Sequence, residues 1–381
     1  MLFWPNSGPE QAAGTTTTHP LNSSVPWVDR TTPVDEELEA GYVLLATRVA
    51  DMQEWLEEVR GLEFRESLDL VLLDDADFEA WDRRLQDSKD YWPEYDAVPP
   101  LLGIGEPVVS PDEFWSYSYW FEGTILIPKP WVAEEIDYGA LLIHDLAGAL
   151  LDDHFRVGER LNELLRSGVA GDKYDVARLL AEGEGRFLTE GFGWFMAAGD
   201  WDPASLPCIR EDFNPSPVSS LGRWYVCRLF ASGGWPAVDD AHRNPPQSTA
   251  EILGIACDPG EVIPTRLTAS WTHEVFAAER GALWFHVLTT LRTAGPNAPN
   301  SWCFDHQRVV ERADGARMFV MDIWVATSAD AEQVADAANS VFRNAENDVE
   351  HLVARDGTWV GVASTLDGVD LCAELPGWCE G

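Results

Sequence analysis

The chain has 381 residues, enough to bury a large core in one big domain or two lobes. Its 65 acidic against 26 basic side chains leave a net charge of −39, which argues against nucleic acid or an anionic membrane as partner, since both are bound through clustered Lys and Arg. No window approaches the ~18 continuous apolar residues of a membrane span.

Among the basic residues only Lys89, Lys129 and Lys173 are lysines. An acidic, Arg-dominated surface reads as salt adaptation, because molar salt shortens the Debye length to about 3 Å and screens the self-repulsion. The 18 Trp read as core rather than as a sugar-stacking platform. Six Cys (Cys208, Cys227, Cys257, Cys303, Cys372, Cys379) include no C-x-x-C, so a thioredoxin site or a Cys₄ zinc knuckle has no support. Cys372 and Cys379 are spaced to close a small loop. The even count fits disulfides and an extracellular setting, and it also fits buried free thiols.

Residues 1–32 are rich in Thr, Pro, Ser and Asn without periodicity and read as an extended N-terminal arm, with no basic region followed by an apolar run to make a signal peptide. From Val34 the apolar spacing predicts a helix ending at Gly61. A strand follows in "ESLDLVLLDD", then a helix in "ADFEAWDRRLQDSKDYW" and a Pro-rich loop over 98–100. "FWSYSYWFEGTILIPKP" predicts a hairpin turning near Glu122-Gly123. Helices are expected over 134–155, 157–169 and 174–198, Pro- and Gly-rich connections over 199–247, and a further helix over 277–293. Two hairpins close the pattern, turning at Asp314-Gly315 and Asp356-Gly357, with a helix between them that a Thr327/Asp330 capping box starts. The fold class is α+β, divided into the arm (1–32), a helical core with an edge hairpin (33–294) and a C-terminal antiparallel sheet-and-helix lobe packed on it (295–381).

The chemistry-bearing stretch is "LLIHDLAGALLDDHF", 141–155. Two zinc ligands on one helix need His at i and i+4, about 40° apart around the axis, with a Glu beside the first as general base. Here His144 is followed by Asp145, and the i+4 position is Gly148, which offers no ligand. Asp145 is a degenerate general base, one methylene shorter than Glu. His154 lies on a different face. Downstream, "ARLLAEGEGRFLTEGF" places Glu182 and Glu184 on a second helix. "HEVFA", His273–Ala277, has the Glu but lacks the second His.

"HDLAGALLDDHF" resembles the "HELTHALQDQHF" helix of a gluzincin-like family found mostly in haloarchaeal and bacterial surface or secreted proteins. "ARLLAEGEGRFL" is similar to that family's "ARRALVEGDATYV", and "VRGLEFRESLDLVLL", "PPQSTAEILG", "SWCFDHQRVV" and "MDIWVATSADAEQVADA" resemble further family segments in the same order. The resemblance covers most of the chain after about residue 50. It implies a zincin-like core, with His144 and Glu182 as relic metal ligands and Asp145 at the place of the general base. It also implies an edge strand beside the zinc helix that pairs with extended peptide, so that Trp115, Tyr117, Tyr119, Trp120 and Phe121 either line a groove or alternate into the core.

These features point to a non-catalytic, metallopeptidase-like protein without a cofactor, retained for binding or assembly with a protein partner at a cell or virion surface. The alternatives are a residual zinc hydrolase using His144, Glu182 and one more ligand, Asp145 or Glu184, and a non-peptidase enzyme in the same cleft.

Overall fold

The computed structural model describes residues 36–65, 68–73, 101, 119–121, 124–128, 139–166, 171–209, 217–255, 264–278, 302–343 and 349–379. The arm over 1–32, the helix expected over 76–92, the loop over 98–100, Trp115, Tyr117 and most of the helix expected over 277–293 lie outside them. The chain divides into two compact units. The first draws on Met1–Ser88, Trp115–Glu163 and Ala177–Pro245, the second on Lys89–Phe114, Leu164–Val176 and Pro246–Gly381. Together they are α+β, with helices gathered in the first and an antiparallel sheet dominating the second.

The first unit opens with helix α1, Glu36–Arg60. It stops at Gly61, whose φ of 68° is the left-handed conformation that glycine adopts without a Cβ penalty. Strands β1 (Asp69–Leu73), β2 (Tyr119–Phe121) and β3 (Thr124–Pro128) form a three-stranded sheet in the order β1-β3-β2. β1 runs parallel to β3, and β2 pairs antiparallel with β3 as the expected hairpin, leaving β2 at an edge among the described strands. Helices α2 (Gly139–Phe155), α3 (Val157–Arg166) and α4 (Asp172–Ala198) follow.

The segment 199–247 corrects the expectation of loops. It contains α5, Pro217–Gly233, and α6, Trp235–Arg243. Pro217 and Pro236 fall in first turns, where a missing N–H costs nothing, and Gly222 sits at a helix crossing, so residues that read as breakers are compatible with helix here. The core of this unit packs Val49, Trp55 and Leu56 of α1, Ile125 and Ile127 of β3, Leu142, Ile143, Leu146 and Leu150 of α2, and Phe187 of α4. Its aromatics form one connected cluster: Trp55 lies 5.1 Å from Phe192 and 5.6 Å from Trp201, and Phe187 lies 5.6 Å from Trp201 and 6.1 Å from Trp235.

In the second unit, β4 (Trp271–Ala278), β5 (Trp302–Arg312), β6 (Arg317–Val325), β7 (Glu350–Asp356) and β8 (Trp359–Thr365) form a sheet in the order β4-β5-β6-β8-β7. The short helix α7, Thr249–Leu253, precedes it, and α8, Ser328–Arg343, lies between the two hairpins. Thr327 Oγ1 accepts from the Asp330 N–H at 3.2 Å, as the capping box predicts. Strand alternation separates two cores. Phe319, Met321 and Ile323 pack with Ala331, Val334 and Ala338 of α8 on one face. Met318 and Val320 pack with Leu371 and Leu375 on the other, beside the terminal turn α9, Leu371–Glu374. "HEVFA" lies on β4, as do Ala277 and Ala278, so neither belongs to a helix.

Candidate functional site

His144 on α2 and Glu182 on α4 come together, with Nε2 3.1 Å from Oε2. Their side chains keep 23% and 12% of their exposure, so the pair is reachable from one side. Burial opposes charge on the imidazole, but the hydrogen bond and negative charge of Glu182, aided by Asp145, outweigh it and raise the His144 pKa above its ordinary value.

The other sequence-predicted positions fall around this pair. Asp145 is 1% exposed and its face is turned inward. Gly148, one turn beyond His144, is only partly buried, and a Cβ there would meet none of the described residues within 4 Å. His154 is directed elsewhere, its Nε2–H donating to the Glu63 carbonyl at 2.8 Å. Tyr119, Trp120 and Phe121 make up β2, the edge strand that packs beside α2.

Glu184 is fully buried, and sequence reasoning missed what it does. Its Oε1 accepts from Arg60 Nε at 2.5 Å and its Oε2 from His242 Nε2 at 2.7 Å. The same guanidinium donates through Nη2 to Asp239 at 2.5 Å and lies 4.3 Å from the Trp235 ring centroid. His242 stacks on Phe155 with centroids 5.0 Å apart. Burial works against the Glu184 charge, yet Arg60 first and His242 second bring its pKa down to about 2. A buried carboxylate with this much compensation holds elements together and is not available to a metal.

One turn of α4, Glu182–Gly185, is therefore committed in every direction. Successive residues advance by about 100°, so Glu182 and Gly185 face α2, Gly183 faces α5 and Glu184 faces α1 and α6. A Cβ on Gly183 would stand 2.1 Å from the Gly222 carbonyl carbon of α5. On the same face as Glu182, Arg186 bonds Ser220 Oγ at 2.7 Å and shares Glu190 with Arg223. The signal available in sequence was the string Glu-Gly-Glu-Gly in mid-helix, where glycine is a poor helix former and needs a packing reason.

Among the described residues no group of three or more His, Cys, Asp or Glu side chains is arranged to hold a metal ion, and no helix is long and apolar enough to cross a membrane. Cys208 is joined to Cys227 and Cys372 to Cys379, with Cα atoms 5.4 and 5.6 Å apart. Compared with known proteins, the chain matches no family model, no curated protein and no solved structure.

Proposed function

We propose that this chain is a metallopeptidase-like protein whose metal chemistry has decayed and whose zincin-like core is retained for binding or assembly. One observation carries the reading: two residues in the places of a metal helix and its downstream Glu bond each other directly, while the i+4 position that should supply the second His is Gly148. Among the described residues a catalytic zinc lacks its full ligand set. A catalytic ion takes about three protein ligands and a water, whereas His144 and Glu182 supply two and Glu184 is tied to Arg60 and His242.

The edge position of β2 beside α2 supports an extended peptide or a partner's strand as the bound element, through main-chain hydrogen bonds. Paired cysteines support an oxidising compartment, in keeping with a cell or virion surface, and the charge of −39 supports a salt-adapted source.

A second reading, a residual zinc-dependent hydrolase, draws on the His144–Glu182 separation itself, since two atoms each ~2.0–2.2 Å from one tetrahedral ion stand about 3.4 Å apart. Metal analysis of the protein purified without chelator separates the two. The proposal expects substoichiometric zinc and no peptide cleavage at high salt. Stoichiometric zinc and cleavage, both lost in His144→Ala, would replace it with the hydrolase.

A further inference from the structure

We infer that Gly185 is a positioning residue: by carrying no side chain it seats the His144 imidazole on α4 and so fixes the direct His144–Glu182 link. The inference rests on reading that pair as the relic of a metal site and concerns what now holds it. Residues 182 and 185 are three apart and share a helix face, and the ring of His144 covers both. Its Nε2 reaches Glu182. Its Cε1 and Nδ1 lie 2.8 Å, and its Cγ 3.3 Å, from where a Cβ on Gly185 would stand. Real Cβ atoms do not come so close to ring atoms, and a methyl group there must push the imidazole off its seat, carrying Nε2 away from Glu182.

Retreat of α4 cannot supply the room. Gly183 is already against the Gly222 backbone, and Glu184 is held on the opposite side by Arg60 and His242, so the turn can neither withdraw nor roll. The ring is the part that can move, because His144 is partly exposed and a Cβ on the neighbouring Gly148 would meet none of the described residues within 4 Å. Gly193 on the same helix provides the contrast: a Cβ there meets none of the described residues within 4 Å. The absence of a side chain at position 185 thus decides whether the pair is formed or splayed, without a metal to bridge it.

A double-mutant cycle on the full chain tests this. Gly185→Ala is expected to lower the melting temperature by several degrees in the parent. In the His144→Ala background, where the ring is gone, the same substitution is expected to raise it, because alanine is the better helix former. Shifts of the same sign and size in both backgrounds would overturn the inference. Should Gly185→Ala fail to fold, folding of Gly185→Ala/His144→Ala supports the proposal, and failure of both overturns it. The ¹⁵N resonance of His144 Nε2 gives a second readout: it moves in Gly185→Ala and stays in Gly193→Ala, and an unmoved resonance in Gly185→Ala rejects the positioning role. No metal enters either measurement, so a negative result here is distinct from a negative result in the zinc analysis.

Discussion

Gly183 of α4 and Gly222 of α5 meet backbone to backbone, so close that a Cβ on Gly222 would stand 2.0 Å from the Leu179 carbonyl oxygen and 2.8 Å from the Gly183 Cα. Neither backbone can yield the way a flexible side chain does. Gly183→Ala and Gly222→Ala are each expected to destabilise the protein by about 3 kcal/mol or more, at the upper end of overpacking costs. Gly193→Ala should instead stabilise by about 0.5–1 kcal/mol. Urea denaturation of the three variants checks the contrast, and equal effects would remove the crossing from the account.

The Glu184 hub predicts acid sensitivity. Its carboxyl is held down to about 2 when folded, against an ordinary value of 4.5, so the group binds more protons unfolded than folded as the medium becomes acidic. Its contribution is complete above about pH 4.5 and is lost as pH falls toward 2. Glu184→Gln should cost about 3–5 kcal/mol at pH 7, because Arg60 and His242 lose their buried partner. The variant's stability should also fall less steeply than the parent's between pH 4.5 and 2, as denaturation curves at stepped pH would reveal.

His144 titrates in the opposite sense. Its raised folded pKa means that the stabilisation it provides is fully present below its unfolded value, about 6.5, and disappears as pH rises through the folded value. An NMR titration should place the His144 midpoint above that of an exposed histidine. Glu182→Gln should bring it down, and a midpoint indifferent to Glu182 would contradict the ion pair.

Rebuilding the motif tests the ancestry of the site. Gly148→His meets none of the described residues at its Cβ, while Asp145→Glu adds a methylene to a buried position at a cost of about 1–3 kcal/mol. The double variant is expected to bind zinc, and saturation at 100 times the dissociation constant should stabilise it by about 2.7 kcal/mol. The parent's melting temperature should not respond to zinc.

Arg156 links α2 to α3 at φ 52°, the one described non-glycine residue with positive φ. Its exposed ion pair with Glu159 contributes little, so relief of the left-handed conformation dominates. Arg156→Gly should stabilise by about 1 kcal/mol, readable as a rise in the denaturation midpoint.

Local signals in the sequence were sufficient for the C-terminal end of α1, for both turns of the C-terminal sheet and for the capped α8, because a glycine at positive φ, an Asp-Gly turn and a Thr cap act through residues a few positions away. Helical spacing put His144 and Glu182 each on a definite face of its own helix, and that the two faces meet was implied only by the resemblance. α5 and α6 escaped because Pro217, Gly222 and Pro236 weigh against helix in isolation, and only burial against α4 and α1 turns them into first-turn and crossing residues.

The role of Glu184 was decided by tertiary structure alone. Its partners Arg60 and His242 are 124 and 58 positions away in the chain, and no periodicity links them. Sequence determined that the carboxylates of Glu182 and Glu184 leave α4 on nearly opposite faces, about 160° apart at about 100° per residue. Which of them would meet a half-open histidine and which a buried arginine depended on the rotation of α4 in its bundle, and that rotation is set by the backbone contact of Gly183 with Gly222, a constraint that exists only once the helices are packed.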